Sequence, residues 1–253
     1  MGRRPSFLFA PCDNLRVEIV SFGDTCLRLR GREGVVAADA FPRIVGPTGR
    51  GMTADIATYS HADGQQSLGL EGKAGSGNGR AGRGAKVSAG HTVRRVPTSL
   101  ESAFLLDSPG EFEIHEVLIN GIRTFRDEVQ GAERGANTCF VYELDGVHVV
   151  HLGDIGHLLS DADLDKIGPV EVVCVPVGGS LAPARAAELV AQFDANLVVP
   201  MAIGTNGQGS EDLARFLHEM SVQHEEPVPK LTVTSSSAPG ETTVVLLEAR
   251  GRT

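Results

Sequence analysis

Val147-His148-Val149-Val150-His151-Leu152-Gly153-Asp154-Ile155-Gly156-His157 is a short β-branched run that ends in a Gly-Asp turn. Such a run predicts a strand, and the turn leaves a carboxylate at the strand's end, where α/β folds keep their chemistry. Asp154 is therefore the residue to explain, with His151 and His157 beside it in sequence. Its plainer reading is a turn aspartate that bonds its own backbone.

Upstream of this stretch, Asp145-Gly146 separates two alternating runs, Thr138 to Glu143 and Val147 to His151, and predicts a tight hairpin. Strand-like runs also cover Arg16 to Val20, Cys26 to Arg30, Val35 to Asp39, Asp55 to Ser60, Val93 to Val96, Ala103 to Leu106 and Val117 to Ile119. Ser108-Pro109-Gly110-Glu111 reads as a turn; no Gly-x-Ser-x-Gly frames it as a nucleophile elbow. Downstream the character changes. Ser160 is a good N-cap, with Asp163 three residues on, for a helix through Lys166, and Val170 to Val175 reads as a buried strand. Pro183 to Phe193 has a helical period, Asn196 to Pro200 is a strand, and Ser210 starts a helix to about Met220. Leu231 to Thr234 and Thr242 to Leu247 close the chain as strands. A block of strands followed by alternating strand and helix predicts an α+β fold of two sheets with helices outside, a four-layer αββα sandwich. A single domain over residues 1–253 is expected.

Residues 69–90 are of a different composition: Gly, Ala, Ser, Lys and Arg with scarcely a large apolar residue. Such a segment cannot bury enough surface to offset ordering entropy, so a flexible Gly-rich insertion is expected there. Its Lys73, Arg80, Arg83 and Lys86 suit an acidic partner, although a solvated linker is the simpler reading. The chain as a whole has a formal net charge of −9, which argues against nucleic acid or an anionic membrane as the main partner, local basic segments excepted. The four cysteines, Cys12, Cys26, Cys139 and Cys174, are scattered without a CxxC pair, so free thiols in a reducing compartment are expected rather than a cysteine zinc site. No apolar run is long enough for a signal-peptide core or a membrane span, and a cytoplasmic location is expected.

Several landmarks then fall in one order: a strand ending in Asp39, a strand ending in Ser60-His61, the segment Ser108 to Ile114, the strand into His151-Leu152-Gly153-Asp154, the segment Val175-Pro176-Val177-Gly178-Gly179, and the strand into Val199-Pro200-Met201. This order resembles the metallo-β-lactamase superfamily, closest in its Zn-dependent hydrolase-like branch, which is related to the sugar-phosphate lactonases. The resemblance runs from about Leu15 to Leu247, leaving out the Gly-rich insertion. It implies an αββα sandwich whose cleft holds one or two metals, usually zinc, on a His-x-His-x-Asp-His loop, a later His, a bridging Asp and a final His. Imidazole and carboxylate ligands leave a coordination position open for an attacking water.

Carried onto this sequence, the ligand pattern is damaged. The loop reads His61-Ala62-Asp63-Gly64-Gln65-Gln66, so the first His is kept while Asp63, Gln65 and Gln66 replace the other ligands. Where the family resembles Thr-Tyr-His-Asp, the chain has Thr124-Phe125-Arg126-Asp127; the bridging Asp is kept as Asp154; and where Pro-Met-His would stand, the chain reads Pro200-Met201-Ala202. Gln is a poor zinc ligand, Ala is none, and a guanidinium is a permanent cation without a lone pair to donate. Arg126 would repel a divalent cation yet could neutralise Asp154 through a charge-assisted bond.

The expectation is a non-catalytic binding or scaffolding relative that has lost its dinuclear metal site, with a residual cleft of His61, Asp63, Gln65, Gln66, Arg126, Asp154 and Ala202. No cofactor is expected, and a small anion is the expected ligand. The alternative is an active hydrolase of esters, lactones or phosphoesters, with zinc, iron or manganese on a rearranged mononuclear site of His61, Asp63 and Asp154. A third reading is an oligomeric structural module, and a homo-oligomer is expected in any case. His91 and His115 read as solvated polar residues, His148 as facing the other side of its strand, and His151 and His157 as core or surface filling. Gly204 to Gly209, Gly-rich ahead of a helix, lacks a P-loop lysine and reads as a loop on the cleft rim.

Overall fold

The computed structural model describes residues 15–62, 96–203, 211–223, 226–235 and 240–250. The Gly-rich insertion, the strand expected at Val93 to Val96, Asp63, Gln65, Gln66, His91, Cys12, the loop from Gly204 to Gly209 and the Ser210 cap lie partly or wholly outside these residues.

The chain opens as the antiparallel meander that alternation predicts, β1 (Arg16–Gly23), β2 (Cys26–Arg30) and β3 (Val35–Ala38). After the one-turn helix α1 (Pro42–Val45), β4 (Ile56–Thr58) and β5 (Phe104–Leu106) add in parallel. Next come β6 (Gly110–Ile114), β7 (Val117–Phe125), β8 (Ala136–Leu144) and β9 (Val147–His151), joined as antiparallel neighbours. The remainder alternates: α2 (Asp161–Ile167), β10 (Val172–Val177), α3 (Pro183–Val190), β11 (Leu197–Ala202), α4 (Glu211–Glu219), β12 (Leu231–Thr234) and β13 (Thr243–Val244). Two mixed sheets result, ordered β12-β1-β2-β3-β4-β5 and β13-β11-β10-β9-β8-β7-β6.

Three apolar layers hold these sheets. Val17, Ile19, Leu27 and Leu29 of the first sheet meet Phe140, Tyr142, Val149 and Val199 of the second in the central layer. Val150, Val173 and Val175, on the opposite face of the second sheet, pack under Leu189 of α3 and Phe216 of α4. Every residue of β10 is buried, as a central parallel strand with both faces covered requires. On the outer face of the first sheet, Val20, Phe41, Tyr59 and Leu100 form a third cluster. The arrangement is the expected αββα sandwich, with the layer outside the first sheet reduced, among the described residues, to α1 and two 3-10 turns.

Local signals account for the junctions. Asp145 and Gly146 both have positive φ, 51° and 71°, the backbone a two-residue hairpin with the sheet's own twist demands. The Asp145 carboxylate also accepts from the N–H groups of Arg32 and Glu33, while its own N–H donates to Glu33 Oε2 at 2.7 Å, so this turn ties the two sheets together. Ser160 caps α2, its Oγ accepting from Asp163 N.

Three expectations need correction. Ser108-Pro109-Gly110-Glu111 is a turn only at its start, because Gly110 already begins β6. The strand expected over Val117 to Ile119 continues to Phe125, and Leu118 to Phe125 pair along their whole length with β8. The final run expected over Thr242 to Leu247 is a strand only at Thr243 and Val244, which pair with β11; Leu247 makes an isolated bridge to Val228, and Ala249, beyond the run, makes one to Ser21 of the first sheet. Three of the cysteines, Cys26, Cys139 and Cys174, are buried free thiols.

Candidate functional site

The C-terminal ends of β3, β4, β7, β9 and β10 converge, and each delivers one part of a polar cluster. β3 ends at Asp39, which adopts φ 51°. Its carboxylate accepts from Ser60 N at 2.7 Å and from Ser60 Oγ at 2.6 Å, fixing the turn that follows β4. Because the Ser60 hydroxyl hydrogen is given to Asp39, Ser60 Oγ accepts from His61 Nδ1, 2.7 Å away, which assigns the proton of His61 to Nδ1 and a lone pair to Nε2. The ring lies against Phe41, with centroids 4.9 Å apart. Burial pushes the His61 imidazole below its ordinary value; Asp39 and Asp154 act against that shift, and Arg126 and Arg43 add to it.

β9 ends in the Leu152-Gly153-Asp154 turn. Asp154 is 3% exposed, and its side chain does not serve its own turn. Arg126, the first residue past β7, donates Nε at 2.8 Å and Nη2 at 2.6 Å to Asp154 Oδ2. Ser180 completes the carboxylate's surroundings, its N–H reaching Oδ1 at 3.1 Å and its Oγ donating to Oδ2 at 3.0 Å. Asn137 of β8 accepts from Asp154 N and donates to the Leu152 carbonyl and to Thr124 Oγ1, pinning the turn from beneath. Gly153, at φ 64°, leaves no room for a side chain, since a Cβ there would sit 2.5 Å from both Asn137 Oδ1 and Ser60 Oγ.

Arg126 is aimed by the loop that follows it. Asp127 is the hub of that loop: Oδ1 accepts from the N–H groups of Val129 and Gly131, Oδ2 from those of Glu133 and Arg134. Burial raises the Asp127 carboxyl's pKa, but the four backbone donors outweigh it and hold the group below its usual range. The loop returns Arg134 to the cleft, where its Nη1 donates to the Gly179 carbonyl at 3.0 Å and to Ser180 Oγ at 3.2 Å, and where its own carbonyl accepts from Arg126 Nη1. Gly156 packs directly under this segment: a Cβ would lie 2.1 Å from the Arg126 carbonyl oxygen.

Of the residues singled out by sequence, His61, Arg126 and Asp154 come together here. Ala202 ends β11, beside the same strand ends, and offers no ligand atom. His151 is buried and spends Nε2 on the Thr25 carbonyl at 2.8 Å, and His157 Nε2 accepts from Phe125 N while Nδ1 bonds the Leu158 carbonyl. Neither ring is offered to the cleft. His148 lies on the outer face between Glu143 and Glu171, and His115 is exposed in the β6–β7 turn. Ser180, Asn137, Arg134 and Gly156 were not foreseen as parts of the site. The Gly178-Gly179 pair, with both φ values positive, was the available signal for a sharp turn delivering Ser180.

Among the described residues, which do not include Asp63, Gln65 and Gln66, the donor set does not suit the two-metal centre of the resemblance. Both oxygens of Asp154 are engaged by protein donors, its neighbour is the guanidinium of Arg126, which has no lone pair to give a metal, and no group of three or more His, Cys, Asp or Glu side chains able to hold a metal is found among the described residues.

The family model described as the β-lactamase superfamily domain matches residues 18–202. The chain belongs to the metallo-β-lactamase superfamily. Among solved structures of the metallo-β-lactamase fold, a candidate Zn-dependent hydrolase of the superfamily from Thermotoga maritima is 27% identical, with a TM-score of 0.61, covering 92% of this chain and 98% of that one. A metallo hydrolase from the archaeon Ignicoccus hospitalis has 14% identity and a TM-score of 0.53 over 86% of this chain and 98% of its own. CmlA, a diiron β-hydroxylase from Streptomyces venezuelae, has 13% identity and a TM-score of 0.56 over 89% of this chain and 55% of its own. The last two are likenesses of fold alone. No curated protein matches the chain. These neighbours are described as a candidate Zn-dependent hydrolase, a metallo hydrolase and a diiron enzyme, whereas in this chain an arginine bonds Asp154.

Two predictions follow from the packing of this cleft. Replacing Gly156 by Ala forces a methyl group into the backbone of Arg126 and Asp127, and should lower unfolding free energy by at least about 2 kcal/mol in urea titration; an unchanged midpoint would mean the segment is not held there. Burial keeps the His61 ring neutral in the folded chain, so below about pH 6.5 the unfolded chain takes up a proton that the folded chain does not. That part of the stability is complete above this pH and is lost as pH falls through the window below it. The urea midpoint should drop between pH 7 and pH 5.5, and drop less in a His61→Gln variant.

Proposed function

We propose that this protein is a non-catalytic binding or scaffolding member of its superfamily, in which an arginine has taken the place of the dinuclear metal. The observation that carries this reading is the Arg126 guanidinium donating twice to Asp154 Oδ2, at 2.6 and 2.8 Å. A buried carboxylate that bridges metals in the family needs positive charge nearby; Arg126 supplies one such charge permanently and repels a divalent ion from the same place. Ala202 and the engaged oxygens of Asp154 support the same reading.

The ligand that suits such a cleft is a small anion. Arg126 and Arg134 bring two cations to the rim beside the Asp154 carboxylate, and both Arg134 Nη1 and Asp154 Oδ2 bond Ser180 Oγ. Nε2 of His61, which has no hydrogen-bond partner among the described residues, offers a further polar contact on the other wall.

The same free nitrogen favours a second reading, a metal-dependent hydrolase with a rearranged mononuclear site on His61, Asp63 and Asp154. It requires Asp154 to exchange Arg126 for the metal. Elemental mass spectrometry of the untagged protein, after growth with zinc, iron and manganese supplied, separates the two. Less than about a tenth of an equivalent of any of these metals, in folded protein, is the expected result. Near-stoichiometric metal that disappears in an Asp154→Ala variant would overturn the proposal, revive the hydrolase reading and call for a substrate screen.

A further inference from the structure

A second charged site lies at the opposite end of β3 and β9 from the cleft. There a cavity of about 380 Å³ is lined by Arg16, Glu18, Arg30, Arg32 and Asp145. Its position follows from strand alternation. Val17, Ile19 and Leu29 point into the central layer, so Arg16, Glu18 and Arg30 stand on the other face of β1 and β2, where Glu18 and Arg30 are direct cross-strand partners. Arg32 enters from the turn into β3, held by its own N–H on the Asp145 carboxylate at 2.8 Å.

The two carboxylates of the cavity are already committed. Asp145 accepts from two backbone N–H groups of the β2–β3 turn, and Glu18 is bonded by Lys230 Nζ at 2.8 Å, which together with Arg16 and Arg30 holds its carboxyl below the usual range against the opposing effect of burial. The guanidinium groups of Arg16, Arg30 and Arg32 have no hydrogen bond or close ion pair among the described residues. The excess of positive charge continues along the same face. Arg28, paired with Val20, is half-buried with Nε unbonded; burial lowers its pKa, and Arg250 and Arg30 lower it further. In a chain of net charge −9, four arginines are thus gathered on one face around two carboxylates that other donors have already satisfied.

We propose that this cavity is a binding site for a phosphate-type oxyanion, gripped by Arg16, Arg30 and Arg32. Guanidinium forks match the geometry of phosphate oxygens, and an anion there relieves the mutual repulsion of the cluster. The site is separate from the Arg126 cleft and stands whether or not that cleft binds an anion.

Calorimetric titration of the full chain at low ionic strength, with orthophosphate, tripolyphosphate and ATP in turn, tests it. Saturable binding is expected for at least one of the three, with one equivalent at this cavity. The equivalent bound at this cavity should weaken at least about tenfold in the double variant Arg16→Gln/Arg30→Gln, fall with added salt, and persist in Arg185→Gln/Arg215→Gln, which removes an equal charge from α3 and α4. Equal affinity for orthophosphate and tripolyphosphate would identify a single phosphate group as the ligand; preference for tripolyphosphate or for ATP would identify a free polyphosphate chain or a nucleotide. The three arginines are exposed, so circular dichroism should show the double variant folded. Absence of binding, or a double variant that keeps this equivalent at the wild-type affinity, would overturn the proposal.

Discussion

A carboxylate removed from water must be matched by positive charge or lose its own, and around Asp154 the match is Arg126. Sequestering an ion costs several kcal/mol even in a relaxed protein, so an unmatched Asp154 would be among the largest single penalties in the fold. The surrounding structure serves to hold one guanidinium against one oxygen. β7 ends one residue before Arg126, the Asp127-centred loop turns the chain so that Arg126 faces back into the cleft, and Gly156 leaves the space through which that backbone passes. Ser180 and Asn137 supply the remaining hydrogen bonds, which keep the pair from being a charge pair without partners.

Much of the fold was legible because its strands alternate and its turns carry the residues their geometry needs. Asp145-Gly146 reads as a hairpin since few residue pairs accept two positive φ values in succession, and Ser160 reads as a cap since its hydroxyl can accept from the N–H three residues on. Legibility failed where local composition and long-range pairing disagree. Ser108-Pro109-Gly110 is composed like a turn, and what makes Gly110 the first residue of β6 is its register with Gly121 of β7, which no local pattern reveals. At the other end of the chain, the run from Thr242 to Leu247 leaves the second sheet soon after Val244, because Val245 N–H is still used by Val198 of that sheet while Arg250 N–H, just beyond the run, is used by Ser21 of the first.

The site shows the same division. The substitutions at Arg126 and Ala202 are visible in sequence as departures from the family's ligand pattern, and the chemistry of a guanidinium suffices to anticipate a bond to Asp154. Ser180, Asn137 and Arg134 could not be anticipated in this way. Each is brought in by a different element, and polar residues of these types are common in turns and strands whether or not they face a cleft. The basic face on β1 and β2 was equally hidden, since its arginines alternate with core residues and only the pairing of Glu18 with Arg30 brings them around one cavity.

The proposed replacement of metal by arginine is tested most directly by a double-mutant cycle on Arg126→Met and Asp154→Asn, measured by urea unfolding with and without a strong chelator. A coupling energy of about 2–4 kcal/mol is expected, below the upper range for fully buried pairs because Arg126 retains some solvent contact, and the same value should be found when the chelator is present. A coupling near zero, or a wild-type protein that loses stability on chelation, would show that the charge balancing Asp154 is not the arginine's.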